Sequence, residues 1–176
     1  TGNPGHREQP IADPGLRLAM VRAAVADQPG FSVDDREIRR TGVSYSVDTL
    51  TELRAEFPDR SLCLILGMDA FLGLPNWHRW REIVALGHIV VAHRPGWKAP
   101  TSGPLGELMV DHGTGGVRDL HTARAGKIYV HAVTQLEIAK GYIASGAARV
   151  VLLVQSHLLM RAFPMMHPAA PGVGDG

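Results

Sequence analysis

Apolar residues in this chain gather in short continuous runs, separated by stretches with helical spacing. Ser61–Leu66 and His88–Ala92 read as strands covered on both faces, the pattern of a parallel sheet. Ahead of them, Ser46–Phe57 sets Leu50, Leu53 and Phe57 on one side and predicts a helix with Ser46 as its N-cap. From Asp13, the residues Leu16, Ala19, Met20, Ala23 and Ala24 share a helical face that Pro29-Gly30 ends. Phe31–Asp34 predicts a short strand, followed by the charged turn Asp35-Arg36-Glu37. Asn76 is placed to cap a third helix running to about Leu86.

Beyond Trp97 the pattern weakens. Residues 98–127 are rich in Gly, Thr and short polar runs, which predicts a long surface insertion with one helical turn near Leu105. Ile128–Val133 alternates like a strand, Glu137–Ser145 predicts a helix, and Val150–Val154 is a further apolar segment. Strands alternating with helices argue for one parallel α/β domain over residues 1–160. Residues 161–176 form a tail whose Gly/Pro/Ala-rich end, Pro168–Gly176, predicts disorder.

Composition narrows the possibilities. The chain has 176 residues, the size of one domain with a proper core. A net charge of +1 with 20% charged residues gives no polyanion-binding surface, so no nucleic-acid partner is expected. No apolar stretch reaches the roughly 20 residues of a membrane helix, and no secretory leader is read at the start. The single cysteine, Cys63, lies inside an apolar run; it reads as an inert core thiol in a reducing cytoplasm.

Candidate chemistry sits at element ends. Ser44-Tyr45-Ser46-Val47-Asp48-Thr49-Leu50 opens a helix, Gly67-Met68-Asp69 ends a strand, Trp77-His78-Arg79-Trp80 precedes a helix, and Arg94-Pro95-Gly96-Trp97 follows a strand. In an open α/β sheet such ends gather along one edge, where nucleotides bind. This ordered set resembles the bacterial nicotinate-nucleotide adenylyltransferases, from Gly2 to about Leu153. The resemblance implies a Rossmann-like parallel sheet with flanking helices, and transfer of an adenylyl group from ATP to nicotinate mononucleotide with Mg²⁺ carried on the ATP. It also implies residue roles. Trp77 would stack on the pyridine ring, the amides of Ser46 and His78 would hold its carboxylate, Asp69 beside Gly67 would meet the adenosine ribose, and Arg94 would contact phosphate. Asn3 and Arg7 match a family loop near the mononucleotide phosphate, with Gly5 and Arg7 standing where the family has Pro and Lys. Each residue also has a plainer reading. Trp77 and Trp80 at i and i+3 suit packing of one helix face, Ser46 and Asp69 suit helix capping, and Arg94 suits a surface ion pair.

Two departures from the family pattern bear on activity. The family's first strand and the helix carrying a His-x-x-His pair precede the point where this chain starts, and no such pair occurs between Thr1 and Gly176. That first strand would be central in the sheet, so its absence predicts an unpaired strand edge. Where the family carries Ile-Ser-x-Thr-x-Ile-Arg around the triphosphate, this chain reads Ile138-Ala139-Lys140-Gly141-Tyr142-Ile143-Ala144. The expectation is therefore a nicotinate-nucleotide adenylyltransferase by descent with little turnover, and with neither a catalytic nor a metal-ligating residue assigned. The alternatives are a non-catalytic pyridine-mononucleotide-binding protein and a fragment with no function of its own.

Overall fold

The computed structural model describes residues 12–93, 98–132 and 150–153. Its frame is a five-stranded sheet in the order β3-β4-β2-β1-β5. The strands are β1 (Leu62–Gly67), β2 (His88–Ala92), β3 (Gly113–Thr114), β4 (Ile128–His131) and β5 (Val150–Leu153). Every pairing is parallel. Leu62 through Leu66 and all of β2 are buried, as continuous apolar runs between two layers must be. Burying a Leu or Ile side chain contributes about 1.5–3 kcal/mol, so this central pair anchors the domain.

The expected open edge beside β1 is not found: β5 pairs there, Leu62 with Val150 through Ile65 with Leu153. The larger core lies on one face, where Val47, Leu50, Phe71, Leu74, Ile83 and Leu105 meet Leu64, Leu66, Ile89 and Val91. The other face carries Cys63, Ile65, Val90 and Ala92 under Leu120 and Phe31. Burial in this apolar setting pushes the Cys63 thiol up to about 11, against a weaker opposing bond with Ser61, in keeping with an unreactive core thiol.

The helices in chain order are α1 (Pro14–Val25), α2 (Arg36–Arg39), α3 (Ser46–Glu56), α4 (Met68–Leu72), α5 (Trp80–Leu86), α6 (Gly103–His112) and α7 (Asp119–Thr122). Several differ from the sequence reading. Helix α1 starts as expected, with Asp13 Oδ1 accepting from Leu16 N at 3.0 Å, yet none of its residues is buried and Leu16 is 52% exposed. Phe31–Asp34 is no strand. Asp34 instead accepts from Arg36 N at 2.9 Å and from Arg36 Nε at 2.6 Å, a local side-chain turn that competes with strand pairing and starts α2. Phe57 ends α3 half-buried, with the Arg60 guanidinium 5.3 Å over its ring. The stretch read as an insertion holds all of α6: Pro104 is tolerated in the first turn, and Gly106 lets the helix lie against the Thr101 backbone, where a Cβ would come within 2.7 Å of the carbonyl carbon. The helix expected at Glu137–Ser145 and the tail lie outside the described residues.

Two polar residues tie the amino-terminal ends of the strands. Arg54 on α3 donates to the carbonyls of Leu86, Phe57, Pro58, Arg60 and Arg124 at 2.8–3.2 Å. Its guanidinium thereby closes the carboxyl ends of α3 and α5 and the approach to β4. His88 is fully buried: Nε2 lies 3.0 Å from Ala123 O and Nδ1 accepts from Lys127 N at 3.1 Å, which requires the neutral Nε2–H tautomer.

Replacing Arg54 by Met is expected to cost about 3 kcal/mol, because several charge-assisted bonds to carbonyls go at once; urea unfolding measures it. Arg54→Lys should recover little, since one ammonium cannot span these acceptors. For His88, burial outweighs the Ala123 bond and lowers its pKa from the ordinary 6.5. Its stabilising effect is thus complete above 6.5 and is lost as pH falls from there through the folded value. Its imidazole proton shifts by NMR should stay those of a neutral ring well below that pH.

Candidate functional site

Parallel register brings the carboxyl ends of three strands into line, with Gly67 beside Ala92 and Ala92 beside His131. Helices α3 and α5 return antiparallel to the strands, since Arg54 holds their carboxyl ends at the opposite edge. Their amino termini therefore lie at the same edge as Gly67. This convergence assembles the site.

Ser46 is the first helical residue of α3, and Tyr45 occupies the N-cap position without a side-chain cap, so the expected Ser46 cap is not formed. Asp48 N and Thr49 N both turn back to Tyr45 O, at 3.1 and 3.3 Å. The Ser46 and Val47 amides then have no acceptor within the helix, the ordinary state of a helix start. The turn before them is pinned from below. Buried Ser44 donates through Oγ to Glu37 O at 3.1 Å, Thr49 Oγ1 donates to Glu37 Oε1 at 2.7 Å, and Arg40 Nη2 reaches Glu52 Oε1 at 2.6 Å. Arg36 adds a bond to Glu56 Oε2 at 2.9 Å, so α2 is strapped along α3. Burial would raise the Asp34 carboxyl, but the bonds from Arg36 outweigh it and hold the group below its ordinary value.

The tryptophan turn has a different local cause from the one expected. Asn76 does not cap a helix. Buried Leu74 and the following Pro75 form a single 3₁₀ turn over Leu74–Asn76, closed by Trp77 N donating to Leu74 O at 2.9 Å. Trp77 then runs extended, and Arg79 takes the left-handed conformation at φ 50°, ψ 38° before α5 begins at Trp80. A non-Gly residue there costs roughly 1–2 kcal/mol. Arg79 is held in place by Glu82, at 2.8 and 2.5 Å, and approaches Asp48 of α3 at 3.8 Å. Trp77–Arg79 thus form a short loop between helical segments.

The two turns meet. The Tyr45 and His78 rings lie with centroids 4.3 Å apart at 32°. Trp77, half-buried, packs against the larger core, as does Tyr45, and His78 is exposed. Asp69 is exposed in the first turn of α4, directly after Gly67. Five of the expected residues, Ser46, Gly67, Asp69, Trp77 and His78, accordingly share one edge. Asn3, Arg7 and Arg94 lie outside the described residues, as do Ile138–Ala144.

A cavity of about 680 Å³ lies at the opposite edge, lined by Thr51, Arg54, Pro58, Leu86, Arg124 and Gly126 among others. Its Arg54 donors are already given to carbonyls, so it competes poorly as a binding centre. No group of three His, Cys, Asp or Glu among the described residues is arranged to hold a metal ion. None of the described helices is long and apolar enough to cross a membrane.

Residues 1–152 match the family described as cytidylyltransferase-like. The chain is 43% identical over 148 residues to a probable nicotinate-nucleotide adenylyltransferase of Aeromonas hydrophila, covering 82% of this chain and 69% of that protein. A protein of the same description from Acidithiobacillus ferrooxidans is 46% identical over 145 residues, covering 82% and 66%. A third, from Aeromonas salmonicida, is 45% identical over 127 residues, covering 72% and 59%. The chain thus spans 59–69% of the length of these relatives.

Ser44→Ala should cost about 1 kcal/mol and loosen the Tyr45 turn. The first effect is read by urea unfolding, and the second by faster amide exchange at Ser46 and Val47.

Proposed function

This chain belongs to the cytidylyltransferase-like family, and from that premise we propose that its carboxyl edge is a nicotinate mononucleotide site built for adenylyl transfer from ATP. The observation that carries this reading is the meeting of the Tyr45 and His78 rings, which draws the start of α3 and the tryptophan turn together. A flat pyridine ring suits the half-buried Trp77 indole. Its carboxylate suits amides from the Ser46 and His78 turns, and two donors favour an acid with two acceptor oxygens over its amide with one. Asp69, exposed beside Gly67, suits a ribose hydroxyl of the adenosine half.

The reaction in this reading joins two bound nucleotides. A phosphate oxygen of the mononucleotide attacks the α-phosphorus of ATP, and the bond to pyrophosphate breaks; the enzyme forms no covalent bond. Rate then depends on alignment and on groups that stabilise charge in the transition state. In this reading Mg²⁺ arrives with the ATP substrate, held by phosphate oxygens and water.

Turnover by the chain as it stands is proposed to be low. Ala139, Gly141 and Ala144 stand where the family has Ser, Thr and Arg. Each lost donor of that kind costs roughly 2.7–4 kcal/mol of transition-state stabilisation. Binding of the mononucleotide does not depend on those groups. The buried, unreactive Cys63 suits a reducing cytoplasm.

Calorimetry with nicotinate mononucleotide is expected to show binding that Trp77→Ala weakens at least tenfold, with nicotinamide mononucleotide bound more weakly than the acid. Equal binding by the wild-type and Trp77→Ala proteins would remove the pocket from the tryptophan turn.

A further inference from the structure

The alternation along β4 places Tyr129 and His131 on the same side of the sheet, where Tyr129 packs with Cys63, Ile65, Val90, Ala92 and Leu120. Parallel register then makes the last rung on this face Gly67, Ala92 and His131, on three adjacent strands. The first has no side chain and the second only a methyl group. Gly67 is half-buried and Ala92 buried, and the half-buried imidazole stands at the end of the rung.

The ring is oriented. Tyr129 stacks against His131 with centroids 5.4 Å apart at 27°, and its hydroxyl lies 3.1 Å from His131 Nδ1. His93 N donates to His131 O at 2.9 Å, so the β2–β4 pairing continues past the end of β2 and fixes the backbone at this rung. With Nδ1 engaged, Nε2 is the remaining polar atom of the ring, and it has no hydrogen-bond partner among the described residues.

We propose that His131 is a substrate-binding residue of the nucleotide site: Nε2–H donates to a phosphate oxygen of a nucleotide bound at the carboxyl ends of the strands, with Tyr129 as the positioning residue. This rests on the adenylyl-transfer reading of the same edge. A phosphate oxygen only accepts, so it selects a ring carrying its proton on Nε2; Tyr129 Oη then donates to Nδ1. An imidazolium donates from both nitrogens and satisfies the same two partners. A search for paired histidines at helical spacing cannot find this residue, because the sheet register and not the local sequence delivers it.

The test is calorimetry on the whole chain with α,β-methylene-ATP and with adenosine, which lacks phosphate. Relative to wild type, His131→Ala is expected to weaken the ATP analogue roughly tenfold and leave adenosine unchanged, the loss of one charge-assisted bond. His131→Gln, which keeps an N–H donor, should recover most of that loss. Tyr129→Phe should weaken the analogue about threefold, again without effect on adenosine. Equal weakening of both ligands would mark His131 as structural and overturn the proposal, as would unchanged binding of the analogue by His131→Ala. A wild-type protein that binds nicotinate mononucleotide but neither adenosine ligand would overturn it together with the ATP half of the proposed function. Adenosine and the analogue bound with equal affinity by wild type would overturn the His131 contact alone.

Discussion

The parallel pairing of β1 with β2 is the constraint from which the rest of the structure follows. Both strands are apolar on both faces, so they are stable only between two covering layers. Their register aligns Gly67 with Ala92, which places the chain exits Met68–Asp69 and His93 side by side. Chain that leaves one strand and enters the next in parallel must return over a face of the sheet, and α4, the 3₁₀ turn and α5 make that return between β1 and β2. Every candidate binding group in the described residues owes its position to this geometry.

The polar framework divides between the two edges of the sheet. At the amino-terminal edge, Arg54 and His88 are saturated by backbone groups, and they bind elements together without any group left for a ligand. At the carboxyl edge the polar groups are presented outward: the first amides of α3, the Trp77–Arg79 loop, Asp69 and the His131 ring. Between the two, the Arg36 and Arg40 bonds to Glu56 and Glu52 strap α2 along the later part of α3, while Glu37 holds Ser44 and Thr49 at its start. The Arg36 side chain is only 17% exposed, so these pairs are screened less than isolated surface ions. Their contribution is to hold α2 against α3.

Much of the fold was legible in the residue pattern where that pattern was strong. Strands β1, β2, β4 and β5 and helices α1, α3 and α5 lie within a few residues of their expected places. The misses have specific causes. Asn76 looks like a cap, but burial of Leu74 and the Leu74–Pro75 geometry impose a 3₁₀ turn first. Phe31–Asp34 has the composition of a strand, but Asp34 bonds to Arg36 and turns the chain. Helix α6 was hidden because Gly103, Pro104 and Gly106 are loop residues by habit, whereas here Gly106 serves a close approach to Thr101. The edge of β1 was expected to stand open, and β5 covers it through a pairing distant in sequence.

The sequence alone determined the family and the order of the motifs along the edge. Both depend on residue identity at short separation: the apolar runs that must become buried strands, and the Trp77-His78-Arg79-Trp80 turn beside a strand end. Only the tertiary structure decided that Tyr45 touches His78, that β5 lies against β1, and that Gly67, Ala92 and His131 share one rung. Those relations join segments tens of residues apart, and they are set by strand register and by which face each side chain takes. A shift of one residue in either strand would reverse the face. No local pattern carries that information, because it arises when separate strands choose each other.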